Sequence, residues 1–450
     1  MIKFKRKLKI NPALQIVLGF FVLILVGTFF LCLPISSASG EWLSFVDGIF
    51  TSTSAVSTSG LIVFDTAVHF SLFGQIVILL LMQIGGIGVI CLTTLVFLIL
   101  GKKITYKSRL ALQEGLNQES NQGVVKMIRK IVIFTFAIEL VGFLILLIPF
   151  VPKYGWGNGI FKSIFITVSA FCNAGFDIMG TEQTSFVNLA DFQTNPLVLY
   201  TIMALVFIGG LGFLVIFDVL GLKKKKSFHT KVVLIVSAVL IAIGAIVFTA
   251  LEWNNPTTIG NLGWFDKITN GLFASIMPRS TGFSTFNYAN LTSGSVLFTN
   301  ILMFIGAGPA STAGGIRVTT LFVLLVTMFK GTNKNGDLVV FKKRIPASAI
   351  RKAIRVFCLS LLLCIVSTFL LCISHNNITV SEAIFESISA FSSAGLSLGI
   401  TSYLNVFGKL VITMVMFIGR VGIFTFTIAF ANKIKTDDEI EYPDSKIVIG

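Results

Sequence analysis

Four short runs of small residues recur along the chain: Ser57-Thr58-Ser59-Gly60, Cys172-Asn173-Ala174-Gly175, Arg279-Ser280-Thr281-Gly282 and Ser392-Ser393-Ala394-Gly395. None contains a carboxylate or an imidazole, so acid–base work and tight metal ligation are not what they offer. What they offer is backbone. Glycine reaches positive φ and has no side chain to hold neighbours apart, so such runs can aim successive carbonyl oxygens at one axis. A ring of carbonyls replaces the hydration shell of a cation without burying net charge. A single run would read equally well as a surface turn; fourfold recurrence argues for four quarters of one site.

A second pattern follows each run: QIGGIG (83–88), FIGGLG (207–212), FIGAGP (304–309) and FIGRVG (417–422). In the first two copies small residues read as close helix packing. The third continues as an unbroken small-residue run, Gly306 to Gly315, containing Gly308, Pro309, Ser311, Thr312 and Gly314. Gly costs about 1 kcal/mol and Pro about 3 kcal/mol against Ala in a helix, so a broken helix is expected here. Its loop would cross beneath the four runs as a gate, packing alone being the other reading. In the fourth copy the matching position is Arg420. A charge at membrane depth costs about 2.5–3.5 kcal/mol on insertion scales, which leaves two roles. Arg420 faces a cavity as a barrier to passing cations, or it pairs with Glu139, a carboxylate well inside an apolar segment. Arg279 is expected to brace the third run by pairing with an outer-loop carboxylate.

The elements that position these residues are membrane helices. The 450 residues are 54% hydrophobic and 12% charged, half the roughly 25% of soluble domains, and mean hydropathy is +0.91. A soluble enzyme is excluded. Spanning needs about 20 apolar residues, and eight such runs are present: 12–33, 74–100, 129–151, 197–221, 231–252, 296–329, 350–373 and 408–431. The first follows a basic head but is longer than the usual signal-peptide core, so it is read as a span. Of 35 Lys and Arg, 28 lie in the head, the tail and alternate loops, the side expected to be cytoplasmic. That topology accounts for the net charge of +15 without a nucleic-acid partner.

Each opposite loop holds a shorter apolar stretch, near 44–57, 158–171, 266–278 and 380–391, ending in one of the four runs. The run glycines are 115, 107 and 113 residues apart, an internal repeat of span, re-entrant helix, turn, span. Two spans per unit make the units parallel, whereas inverted repeats need an odd number. The expected fold is therefore an all-α polytopic membrane protein, with four parallel repeats in pseudo-fourfold symmetry around one pore and eight transmembrane helices. The divisions are a basic N-terminus (1–11), repeat 1 (12–100), a loop (101–128), repeat 2 (129–221), repeat 3 (231–329), a loop (330–349), repeat 4 (350–431) and a tail (432–450). The six cysteines, in apolar surroundings without a CxxC pair, are expected as free, buried thiols. The three histidines read as loop residues, no phosphate-loop or dinucleotide fingerprint is present, and no enzyme or resident cofactor is expected. An ion-coupled secondary transporter of another solute stands as the alternative to a channel-like pore.

Four span–loop–span units with a glycine in each run, the small-residue loop of the third and FIGRVG in the fourth make the chain resemble the superfamily of K+ transporters comprising Trk, Ktr and HKT proteins. It is most similar to the Ktr membrane-subunit branch (KtrB/KtrD-like), lacking the extra hairpin of Trk subunits. The resemblance implies K+ uptake, Na+ as an activating or coupled ion, a homodimer in a bacterial plasma membrane, and a cytoplasmic nucleotide-binding RCK ring subunit (KtrA/KtrC-like) contacted by the tail. It makes Gly60, Gly175, Gly282 and Gly395 filter glycines, the Gly306–Gly315 loop an intramembrane gate and Arg420 the pore arginine. Glycine at all four filter positions, rather than the Ser of Na+-selective plant HKT proteins, implies preference for K+.

Overall fold

A computed structural model describes residues 12–88, 124–221, 226–331 and 337–430. The basic head, nearly all of the 101–128 loop and the 432–450 tail lie outside the described residues. The first repeat is α1 (Pro12–Cys32), α2 (Phe45–Ser57) and α3 (Leu72–Ile87). The second comprises α4 (Val124–Tyr154), α5 (Trp156–Phe171), α6 (Pro196–Leu211) and α7 (Phe213–Leu220). The third comprises α8 (Phe228–Glu252), α9 (Trp264–Ile276), α10 (Ser293–Ile305) and α11 (Val318–Lys330). The fourth comprises α12 (Ala347–Ser374), α13 (Val380–Ser392), α14 (Val406–Val421) and α15 (Ile423–Phe430).

The four expected re-entrant stretches are α2, α5, α9 and α13. Most of α2, α5 and α13 and nearly half of α9 are buried, hydroxyls included. Polar groups at that depth need internal partners; Ser52 donates to Ile24 O of α1 at 2.8 Å and Ser163 to Gly159 O at 2.7 Å, whereas the hydroxyls of Ser54, Thr167, Ser387 and Ser389 are buried without one. The long helices α1, α4, α8 and α12 pack on the outside of these short ones and turn apolar side chains outward, such as Phe29, Ile133, Ile246 and Phe369. An apolar surface of that extent belongs in lipid. Trp42, Trp156 and Trp264, each more than 70% exposed, lie just before or at the starts of three of the short helices, as in the aromatic belt of a membrane interface.

Three expectations are corrected. The second spans of repeats two and four are not single helices: α6 and α7 meet at 100°, α14 and α15 at 94°. The hinges are Gly212 (φ +90°) and Gly422 (φ +89°), and α3 likewise ends at Gly88 (φ +96°). A left-handed residue costs about 1–2 kcal/mol with a Cβ, so the last glycine of QIGGIG, FIGGLG and FIGRVG is a helix break. Second, the 330–349 loop contains a two-stranded hairpin, Leu338–Val340 with Lys343–Ile345, beside an Asp337–Arg344 ion pair at 2.6 Å. Third, His229 sits in the first turn of α8 and His69 ends the single helical turn Thr66–His69; of the thiols expected to be buried, Cys32 and Cys372 are half-buried and Cys358 is exposed on the outer side of α12, where a small apolar thiol can face lipid. Cys91 lies outside the described residues.

Candidate functional site

The short helices alternate with the second helices around a closed circle. α2 lies between α3 and α14, α5 between α6 and α3, and α13 between α14 and α10; α9 packs on α6, while the turn after it, Met277–Arg279, packs on α10. Each short helix runs into one of the small-residue runs. A helix C-terminus carries about −0.5 of a charge, and four of them are aimed at one place, a field that favours a cation.

The runs meet there. A Cβ built on Gly60 would lie 3.4 Å from Gly175 Cα; on Gly175, 2.6 Å from Gly282 Cα; on Gly282, 3.2 Å from Gly395 Cα; on Gly395, 2.9 Å from Gly60 Cα. The ring closes on itself in chain order, and only residues without a side chain can stand this close. Of the runs from Ser57, Cys172 and Ser392 onward, every member except the half-buried Gly395 is buried, as are Ser280, Thr281 and Gly282.

The quarters are not identical. Thr58, Asn173 and Ser393 are left-handed (φ +53°, +56° and +53°), as are Gly60, Gly175 and Gly395 (φ +81°, +75° and +74°). In the third quarter Ser280 has φ −169°, and Gly282 is not left-handed. The Gly282 carbonyl accepts from Asn188 Nδ2 at 3.1 Å. Ser280 Oγ donates to Asn173 Oδ1 at 3.0 Å, with the amide oriented to suit its neighbours. Asn188 was not legible as a site residue; its signal is a positive φ in an outer loop.

Beneath the ring, α10 and α11 are separated by the non-helical stretch 306–317. Its neck closes where Ile316 N donates to Phe304 O at 3.2 Å. Its tip is Thr312, fully buried and in contact with two other quarters: Thr58 Oγ1 donates to its carbonyl at 3.2 Å, and its own N–H points to Gly209 O at 3.4 Å. Arg420, from the fourth repeat, donates to the same carbonyl. Arg317 at the start of α11 donates to Ala313 O at 2.5 Å, holding the loop folded on itself.

Arg420 also donates to Gly85 O, to Gly86 O at 3.3 Å and to Thr58 Oγ1 at 3.0 Å. Among the described residues it has no carboxylate partner. Glu139 instead accepts from Gln83 Nε2 at 3.1 Å, so the Arg420–Glu139 pair does not form. The pairing expected for Arg279 does not form either: its Nε donates to Gly306 O at 3.2 Å and its Nη atoms to Ser237 at 3.5 Å. On the far side of the loop a cavity of about 490 Å³ is lined by Pro309, Ser311, Arg317, Arg420 and Gly422 among others. The arrangement thus has a ring of four close-packed glycines, a backbone loop under it, a guanidinium beside the loop, and a chamber beyond.

A family model described as TrkH, cation transport protein, matches residues 8–442. The chain is 39% identical to the Ktr system potassium uptake protein B of Bacillus subtilis over 98% of its own length and 97% of that protein's. It is 38% identical to the potassium/sodium uptake protein NtpJ of Enterococcus hirae, over 98% of both. Among solved structures, the crystal structure of the potassium transporter TrkH from Vibrio parahaemolyticus superposes with a TM-score of 0.74 at 17% identity, covering 96% of this chain and 87% of that one.

Proposed function

As the chain belongs to the TrkH cation transport protein family, we propose that it takes up potassium across a bacterial plasma membrane through the axis of its four-quarter ring. The observation that carries this reading is the closed ring of Gly60, Gly175, Gly282 and Gly395 at the C-terminal ends of four short helices. Such a ring supplies carbonyl oxygens and negative dipole ends to a dehydrated cation. The Gly306–Gly315 loop is the gate: a plug made of backbone under the ring can leave by unfolding a few weak bonds rather than by moving a whole helix. Arg420 is the barrier, since an unpaired cation below the ring opposes a cation passing it. Both termini lie in the cytoplasm, the side that carries 28 of the 35 basic residues.

The remaining parts of the proposal rest on the resemblance, the relatives' names supporting only a system of several components and, through the potassium/sodium uptake protein, a part for sodium. These remaining parts are a homodimer, Na+ acting as an activator or coupled ion, and control by a nucleotide-binding RCK ring.

The test is rubidium uptake into proteoliposomes with and without the ring subunit, competed by K+ or Na+. Strong competition by K+ and weak competition by Na+ is the expected result. Uptake without K+ preference when the ring is present overturns the carbonyl-ring reading.

A further inference from the structure

The third quarter differs from the others in backbone, and it is also the quarter whose repeat contains the gate loop. One side chain joins the two. Arg279 occupies the run position that Ser57, Cys172 and Ser392 hold elsewhere, yet it is 5% exposed and without a carboxylate among the described residues. A buried arginine retained without an acid must be held by carbonyls and hydroxyls, and here these come from two distant elements. Its Nε donates to Gly306 O, the first residue of the loop, at 3.2 Å; its Nη atoms reach Ser237 O and Oγ of α8 at 3.5 Å.

Gly306 is also where the loop closes: a Cβ on it would lie 3.3 Å from Gly315 Cα, at the loop's other end. Arg279 therefore grips the neck of the loop with its side chain, while its own backbone is the first residue of the third filter run. The backbone that follows, Ser280 to Gly282, lacks the left-handed pair that the other three quarters share.

On the reading above, we propose that Arg279 is a positioning residue that couples the third filter quarter to the gate. The quarter takes its present conformation while Gly306 is held, and a loop that leaves the axis carries Arg279 with it and changes the quarter. Three quarters then act as fixed walls and the third as the adjustable one. By reciprocity, ion occupancy in the filter must bias the loop.

The test compares wild type with Arg279→Gln and Arg279→Lys at equal amounts of folded protein, using rubidium uptake without the ring subunit and its competition by K+ and Na+. Arg279→Gln is expected to raise ring-independent uptake on the order of fivefold and to reduce K+-over-Na+ discrimination in the same protein, with Arg279→Lys restoring both in part. A change in only one of the two properties, or in neither, overturns the coupling.

Where Arg279→Gln fails to fold, hydrogen exchange of the wild type decides. Replacing K+ by Na+ is expected to speed exchange in 277–283 and 304–316 together. A response confined to 277–283 overturns the proposal. Wild-type uptake without K+ preference would instead remove the potassium reading itself, a separate failure.

Discussion

The second helices of repeats two and four turn through nearly the same angle, 100° and 94°, each at one left-handed glycine, Gly212 or Gly422. The third repeat spreads its break over 306–317. A sharp turn under the ring therefore needs one residue, and the additional length of the third repeat is not required for bending. What the extra residues do is bring Thr312 onto groups from the three other repeats. The contrast separates two uses of small residues. A single glycine sets an angle, and a run of them makes a piece of backbone that reaches under the ring, the piece proposed as the gate.

The contrast is broken or sharpened by substitution. The largest effect is expected at the ring itself. Gly175→Ala places a Cβ 2.6 Å from Gly282 Cα at φ +75°, and K+-competable rubidium uptake should fall about 100-fold or more, equivalent to about 2.7 kcal/mol. Gly282→Ala, where no left-handed strain is added, should cost less, and equal losses would show that crowding alone matters.

Shortening the loop by removing 311–313 should raise uptake without the ring subunit about tenfold, while Gly422→Ala, where an added Cβ touches no part of the loop, should leave that basal uptake unchanged. It should instead lower thermal stability by about 1–2 kcal/mol. A basal leak from Gly422→Ala would erase the distinction between bend and plug.

Arg420→Ala removes the proposed barrier and one anchor of Thr312 together, and should raise flux per folded molecule some threefold to tenfold, in line with bonds worth about 0.5–1.5 kcal/mol. A fall in flux would mean that the guanidinium is needed to assemble the site. The smallest effect belongs to Thr58→Val, which loses the hydroxyl that touches both Arg420 and Thr312 O. A twofold rise in basal uptake is expected, about 0.4 kcal/mol, and no rise would mean that Arg420 and the contacts of Thr312 with Gly209 and Phe171 hold the tip without this hydroxyl.

The repeat and its ring were legible because the pattern rests on local requirements. Where an added Cβ would lie 2.6–3.4 Å from the next Cα, only glycine is tolerated, so the four glycines recur and can be counted. The break in the third repeat was legible for the same reason. The bends at Gly212 and Gly422 were not, because a glycine that turns a chain and a glycine that packs a helix are the same letter; QIGGIG and FIGGLG do both. Gly85 and Gly209 lie against the ends of α2 and α5 while Gly88 and Gly212 break the helix. The asymmetry of the third quarter was hidden more deeply. Gly282 looks like its three counterparts, and the contacts that distinguish it come from Asn188, 94 residues away, and, through Arg279, from Gly306 and Ser237. The partners of Arg420 and Glu139 were undecidable for a related reason: the residue that satisfies Glu139 is Gln83, 56 positions earlier, and no spacing rule connects them.

A ring assembled from one chain also has a genetic consequence. In a pore made of four identical subunits, any substitution in the filter is applied four times at once and must be tolerable at every position around the axis. Here the quarters are written separately, at Gly60, Gly175, Gly282 and Gly395, so each can drift alone. One wall can be retuned for a new regulator or a different ion while the remaining three continue to hold the old one, and the size of any single mutational step is reduced to a quarter of the ring.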